Sequence, residues 1–251
     1  MKSKWVLGFY TIIGLFAVYL AAILPNYNFI TLSRSTGDVR VEYLRNYNGE
    51  MPRFSSELAH LYTEEEAFEI SHSPAFQGKI VSIRNIRALF HGESSLFDTF
   101  AIANVRVEKV FSGELSVGDT VRILLPCPIA RNIWVEHMDI VSQCRTGMRG
   151  IFLPQALGGS DFREKGGAVL YFSDLADYAF HAGYMDLFLE TRDGLVFNQE
   201  IYTSLSPDAT LKEAGGICSW KDSVLLDYKR SWRGVNGRGP LTPLLCSNKN
   251  A

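Results

Sequence analysis

An uninterrupted run of twenty residues without a charged side chain, Trp5–Leu24, constrains this chain more than any other feature. A helix of that length rises about 30 Å, which is the thickness of the hydrocarbon core of a bilayer. Lys2 and Lys4 precede the run and predict, by the positive-inside rule, a cytoplasmic N-terminus. The sequence therefore predicts an uncleaved signal anchor in a single-pass membrane protein whose C-terminal domain is extracytoplasmic.

A cleaved signal peptide is the main alternative, because Ala21 and Ala22 are small enough for a cleavage site. The apolar run exceeds the usual signal-peptide core of roughly 7–15 residues, which favours the anchor. A buried helix of a soluble protein is the third interpretation. The first two agree that the chain after residue 30 or so lies outside the cytoplasm, and the lack of a second comparable run argues against a channel or transporter.

Four cysteines, Cys127, Cys144, Cys218 and Cys246, form an even number that suits an oxidising compartment. Proximity in the sequence predicts the disulfides Cys127–Cys144 and Cys218–Cys246, although two other connectivities are open. Zinc ligation is disfavoured because there is no CxxC pair. Four free thiols would instead favour a reducing compartment.

The charge balance excludes some classes of protein. There are 25 basic and 27 acidic side chains with a net charge of −2, whereas nucleic-acid binders usually carry a strong basic excess. Hydrophobic residues make up 47%, as in ordinary globular proteins, which excludes collagen-like, low-complexity and wholly disordered chains.

Five parts are predicted along the chain. A cytoplasmic stub (1–4) and the transmembrane signal anchor (5–24) precede a polar juxtamembrane stalk at 25–60. An OB-like β-barrel domain covers 61–203, and a turn-rich, disulfide-linked C-terminal tail covers 204–251.

The fold predicted outside the anchor is mainly β (α+β). Thr63 and Glu66 form a capping box, which predicts a helix that starts there and that Pro74 ends. Arg192-Asp193-Gly194 is a hairpin signal. Alternating patterns predict strands at Val39–Leu44, Ala75–Arg84, Thr99–Phe111, Thr120–Leu125, Gly150–Pro154, Ala168–Phe172, Tyr184–Glu190 and Leu195–Phe197. Such elements are typical of a small OB-like β-barrel with one capping helix.

Four segments carry a resemblance: EEEAFEISHSPAFQGKIVSI, FAIANVRVEKVFSGELSVGDTVRILLP, TGMRGIFLP and YMDLFLETRDGLVF. Together they resemble a recurrent OB-like barrel domain of bacterial membrane-anchored cell-surface proteins, most of unknown function. The resemblance covers Thr63–Asn198 and departs from that domain in the insertion Pro126–Arg149 and in the tail after Asn198. It implies an OB-like fold and brings no catalytic residues.

No catalytic residue, metal ligand or cofactor is predicted. There is no Gly-x-Ser-x-Gly elbow, and the five histidines show no HxxxH or HExxH spacing. Cys144 with His137 is the one close thiol–histidine pair, and it keeps open a thiol hydrolase or transferase. A disulfide half is the simpler interpretation of Cys144.

The basic tail supplies the predicted binding residues. The last thirty-one residues carry a net charge of about +4, so they favour anionic lipid head groups or wall polymers, with a solvated tail as the alternative. The candidate binding side chains are Trp220, Tyr228, Arg230, Trp232 and Arg233.

These features predict a non-enzymatic binding or interaction module displayed at the cell surface. Expected partners are membrane lipid, through Trp5–Leu24, and a cell-wall polymer, glycan or membrane protein, but not nucleic acid. An envelope hydrolase or transferase with a thiol or unrecognised site is the alternative. A subunit that stabilises another membrane protein through its span is a third possibility.

Overall fold

The computed structural model describes most of the chain between residues 29 and 219. The described residues are 13, 29–44, 47, 62–70, 74–90, 97–130, 138–180 and 183–219. Apart from Ile13, the predicted anchor Trp5–Leu24 lies outside them, as does everything from residue 220 onward. None of the helices in the described part is long and apolar enough to span a bilayer.

The described chain is mainly β, as predicted. Its strands are β1 (Phe29–Ile30), β2 (Val39–Leu44), β3 (Ala75–Phe90), β4 (Phe97–Ser112), β5 (Thr120–Leu125), β6 (Arg149–Phe152), β7 (Gln155–Ala156), β8 (Phe162–Lys165), β9 (Ala168–Tyr171), β10 (Tyr178–Ala179), β11 (Leu187–Thr191) and β12 (Gly194–Val196). Helix α1 is Glu64–Ile70, and residues 211–219 are helical and are called α2. Short 3-10 turns lie at Val141–Gln143 and Phe172–Asp174.

The predicted capping box at the start of α1 is confirmed. The Thr63 backbone N–H donates to Glu66 Oε2 at 2.8 Å, and the Glu66 N–H donates to Thr63 Oγ1 at 3.3 Å. These bonds satisfy two donors that a helix start otherwise leaves unpaired. The helix ends at Ile70, before Pro74.

One long hairpin, β3–β4, forms the centre of the sheet. Each strand has sixteen residues, and the pairing runs from Leu89 opposite Phe97 to Ala75 opposite Ser112. Three register shifts interrupt the part of the ladder between Ala75 and Ser82. Because a bulge bends its strand and increases the local twist, the hairpin curls instead of running flat.

The two ends of β3 pair with different neighbours. Residues 76–79 pair with β6, and residues 85–90 pair with β2. The principal strand order is β12-β11-β6-β3-β4-β5-β10-β7, in which β10 is parallel to β5. Among the described strands the outermost two, β12 and β7, do not pair with each other, so the sheet is a curled half-barrel.

Alternation along β4 buries both faces of this sheet. Ala103, Val105 and Val107 lie on one face, which we call the inner face, and Phe100 and Ile102 lie on the opposite, outer face. The main inner-face cluster also contains Phe76, Ile80, Val121, Ile123, Cys127, Val141, Cys144, Phe152 and Leu187. Because successive side chains of a strand point to opposite faces, β4 contributes to two separate hydrophobic cores, one on each face of the sheet.

Each end of the outer face has its own cover. The β8–β9 hairpin with the turn after it, here the hairpin cover, packs Ala168 and Leu170 in one cluster with Phe100 and Ile102. The two helices, here the helical cover, pack at the other end against outer-face residues of β6 and β11. The cluster beneath them includes Phe68, Ile151, Phe188, Tyr202, Ala214 and Cys218.

Polar contacts fix the hairpin cover to the sheet and to the N-terminal segment. Lys165 Nζ donates to the buried Asp98 Oδ1 of β4 at 2.7 Å. Asp174 accepts hydrogen bonds from the hydroxyls of Ser33 and Ser35, both at 2.7 Å. Burial tends to raise the pKa of Asp174, but these bonds, with those from the Ser35 and Arg34 amides, hold it well below its usual range.

Two segments assigned from sequence to the stalk and the tail form part of the folded unit. Residues 29–44 make β1 and β2 and extend the sheet, with Val41 fully buried. Helix α2 starts with a second capping box, in which the Thr210 N–H donates to Glu213 Oε2 at 2.7 Å. The described fold therefore runs from residue 29 to residue 219.

A substitution at Gly150 tests how tightly β6 packs against β11. A Cβ at this position would lie 2.6 Å from the Phe188 carbonyl oxygen, which is backbone and cannot rotate away. We expect Gly150→Ala to lower the free energy of unfolding by about 1–3 kcal/mol, the usual cost of overpacking. Urea titration of the full-length protein in neutral detergent, followed by near-UV circular dichroism, measures it.

Gly216→Ala is the matched control. A Cβ there meets nothing within 4 Å, and the position is helical, so alanine should be neutral or stabilise the protein by about 0.5–1 kcal/mol. Equal stability of the Gly150→Ala protein and the wild type would show that β6 and β11 are not packed as described.

Candidate functional site

Three cationic side chains stand in one row on the outer face of the sheet. Lys79 of β3 lies directly opposite Arg106 of β4 on one side and opposite Arg149 of β6 on the other. Directly opposed residues project to the same face with their Cβ atoms about 5 Å apart. All three side chains are exposed.

A row of like charges across neighbouring strands opposes folding unless something neutralises it. Glu108 neutralises the charge of Arg149, because Arg149 Nε lies 3.1 Å from Glu108 Oε2 in an exposed ion pair. Within the described part of the chain, neither Lys79 nor Arg106 has a carboxylate within ion-pair distance. Lys79 and Arg106 therefore carry exposed positive charges that no ion pair neutralises in the described part of the chain.

The row continues toward α2. Lys109 lies opposite Gln77, and its Nζ sits 4.8 Å from the centre of the Phe111 ring. Lys212, on the first turn of α2, is exposed on the same side. We call Lys79, Arg106, Lys109, Arg149 and Lys212 the basic strip.

A small pocket lies where the basic strip meets α2. Its volume is about 260 Å³. Its lining is Gln77, Lys109, Phe111, Arg149, Glu190, Leu211, Lys212 and Gly215. Gly215 lets the helix approach closely, since a Cβ there would lie 2.7 Å from the Phe111 ring. Three cations, one carboxylate and one amide therefore surround a single cavity.

The row Lys79, Arg106 and Arg149 lies on the part of the outer face between the two covers. Along β4, Ile102 belongs to the cluster beneath the hairpin cover, and Phe111 packs against the cluster beneath the helical cover. Between them, Asn104 Nδ2 donates to Ser82 Oγ at 2.8 Å. Arg106 then follows on the same face, so the uncovered part of the outer face is polar and basic.

A second, larger cavity of about 1080 Å³ lies between α1, α2 and residues 200–206. Two of the four glutamates that line it, Glu64 and Glu213, have structural roles. Glu64 accepts hydrogen bonds from the Ser204 N–H at 3.1 Å and the Ser204 hydroxyl at 2.8 Å, and Glu213 caps α2. Among the described residues, no three His, Cys, Asp or Glu side chains are grouped to hold a metal ion.

The three cysteines in the described part of the chain are present as thiols. Cys127, Cys144 and Cys218 are free and buried, so the predicted disulfide Cys127–Cys144 is not formed in this structure. Cys127 and Cys144 do share the inner-face cluster. Cys246, the predicted partner of Cys218, lies outside the described residues.

Burial makes these thiols poor nucleophiles. It raises the pKa of Cys127, Cys144 and Cys218 to about 12 each, and for Cys144 the neighbouring Cys127 adds to the effect. The thiolate is the reactive species, so a raised pKa lowers reactivity at neutral pH. His137, the partner considered for Cys144, lies outside the described residues.

The other binding residues predicted from sequence also lie outside the described residues. They are Trp220, Tyr228, Arg230, Trp232 and Arg233. The sequence alone does not reveal the basic strip. Alternation does place Asn104 and Arg106 together on one side of β4, but only the register brings Lys79 and Arg149 beside them.

Comparison with known proteins finds no relative of this chain. No family model matches the chain, no curated protein is significantly similar to it, and no solved structure matches its fold.

Alkylation of the native protein tests whether the thiols are accessible. At about pH 7.5, roughly one unit below the ordinary cysteine pKa, we expect iodoacetamide to leave Cys127, Cys144 and Cys218 unmodified in the folded protein. Unfolding in urea should expose all three, and repeating that step with and without reductant reports any disulfide. Rapid native alkylation of Cys144, seen by mass spectrometry, would contradict its burial.

Proposed function

We propose that this chain is a non-enzymatic binding module, displayed outside the membrane by the span Trp5–Leu24, which holds an anionic partner on its basic strip. The observation that carries the proposal is the row Lys79, Arg106 and Arg149, aligned across three adjacent strands and left open between the two covers. The charge-free run and the lysines before it support the outward display.

Electrostatics favours a ligand over a purely structural role for the strip. Lys79 and Arg106 have no carboxylate within ion-pair distance in the described part of the chain, and Lys79 lies opposite both Arg106 and Arg149. An anion bound there would relieve their mutual repulsion, so binding and stability would be coupled. Arg122, further along the same sheet, differs because its Nη2 is paired with Asp177 Oδ1 at 2.7 Å.

An OB-like half-barrel is part of the same proposal. The curled, mainly β sheet with a helix beside it supports the resemblance to barrel domains of bacterial cell-surface proteins. OB-like folds commonly bind oligosaccharides or oligonucleotides on one sheet face. Fold alone does not set function, so the proposal depends on the charges of the strip rather than on the resemblance.

A thiol enzyme is supported less well. Cys144 is buried among apolar side chains, and its raised pKa keeps it protonated at neutral pH. A thiol nucleophile needs the opposite environment, with a depressed pKa and access to the substrate.

Reversing the central charges of the strip tests the proposed function. We expect full-length protein in neutral detergent to bind fluorescent poly-L-glutamate, measured by anisotropy, and to bind it less tightly as NaCl rises from about 50 to 300 mM. The double variant Lys79→Glu/Arg106→Glu should lose roughly tenfold or more in affinity, because it replaces two attractive charges with two repulsive ones.

Arg40→Glu is the control for charge alone. Arg40 is exposed on β2, stacked over Phe29 and away from the strip. Its reversal should change affinity less than about twofold. An equal loss in the Arg40→Glu and Lys79→Glu variants, each measured singly, would mean that net charge and not the strip governs binding.

A further inference from the structure

We infer that the pocket at the α2 end of the basic strip binds one phosphorylated polyol unit of an anionic polymer, whose following phosphates lie along the strip. This inference rests on the proposed function and goes further, because it assigns a ligand class and a specificity residue. It concerns a site of about 260 Å³, lined from the β3, β4 and β6 strands, β11 and α2.

The cations of the pocket suit a phosphate group. Arg149, whose Nε is paired with Glu108, supplies the two terminal amino groups of its guanidinium, and Lys109 and Lys212 supply ammonium groups from two other elements. The phosphomonoester at the end of such a polymer offers three strong acceptor oxygens, which such a set of donors can share. A carboxylate has two oxygens and would satisfy fewer of these donors.

Glu190 gives the pocket its selectivity. Its carboxylate is exposed on β11 and lines the same pocket as the three cations. It repels a bare anion, but it accepts hydrogen bonds from hydroxyl groups. Gln77 adds an amide that both donates and accepts. The lining therefore fits a ligand with an anionic end and a hydroxylated end.

The size and the opening of the pocket fit a single unit of a longer chain. Its volume falls just below the roughly 300–1,000 Å³ of sites that enclose a drug-sized ligand. Arg149 belongs both to the pocket and to the row with Lys79 and Arg106. A polymer that starts in the pocket can thus continue across the strands, with one anionic group after another over the row.

Two probes and one substitution test the inference. The probes are a fluorescent poly(glycerol phosphate) oligomer and fluorescent poly-L-glutamate, each bound to the full-length protein in neutral detergent. We expect Glu190→Ala to weaken binding of the glycerol phosphate polymer by roughly three- to tenfold, because a hydroxyl loses its acceptor. The same change should strengthen binding of poly-L-glutamate, because it removes a repulsive charge.

Lys212→Gln serves as the companion variant, and it should weaken the binding of both probes. Glu190 and Lys212 are exposed, so unchanged thermal melting will confirm that both variants fold. Opposite effects of Glu190→Ala on the two probes would support the inference. If Glu190→Ala strengthens the binding of both polymers, the pocket attracts anions by charge alone. The inference then fails, while the proposed function survives.

A failure of the wild type to bind either polymer would overturn both proposals together. Vesicles provide the last arm, because a lipid head group can also carry a glycerol phosphate. The span would insert into any vesicle, so the measured quantity is the excess of binding to phosphatidylglycerol vesicles over binding to phosphatidylcholine vesicles. An excess that Glu190→Ala removes, with no effect of Glu190→Ala on polymer binding, would overturn the polymer assignment.

Discussion

The pairing of β3 with β4 determines where every other element lies. Strand β3 is long enough to pair with β6 at one end and with β2 at the other, while β5 pairs with the remaining edge of β4. Their register shifts curl the sheet, and their alternation buries apolar side chains on both faces. The outer face therefore needs covers, and two separate pieces of the chain supply them.

The basic strip is a consequence of this arrangement. The hairpin cover and the helical cover each shield one end of the outer face, so the middle stays in contact with water and takes polar side chains. Polarity alone does not call for cations in a row, since threonine or glutamine would serve as well there. Repulsion within the row Lys79, Arg106 and Arg149 disfavours folding, and Glu108 pairs only with Arg149, which is why we propose that the row binds an anion.

Local patterns predicted the elements well. The strand Thr120–Leu125 has its predicted bounds, and the Thr63–Glu66 capping box starts a helix as expected. The same box recurs at Thr210–Glu213, so α2 could have been found by the same rule. The row Lys79, Arg106 and Arg149 could not have been found by such a rule, because its members come from three strands whose alignment depends on the exact positions of the bulges.

Cysteine proximity gave a mixed outcome. It placed Cys127 near Cys144, and the structure does bury both in one cluster, yet as free thiols. Redox state depends on the compartment as well as on geometry, so proximity predicts a neighbour and not a bond. The tail residues predicted to bind lie outside the described chain, and the strip is a competing site for the same class of partner.

Lysine footprinting can show whether an anionic polymer lies on the basic strip or on the tail, because it compares both in one experiment. The full-length protein would be acetylated briefly with and without poly(glycerol phosphate), and the labelled sites would be quantified by mass spectrometry. Our account predicts that the polymer protects Lys79, Lys109 and Lys212 and leaves Lys221 and Lys229 as reactive as before. Protection confined to Lys221 and Lys229, or spread evenly over all lysines, would contradict it.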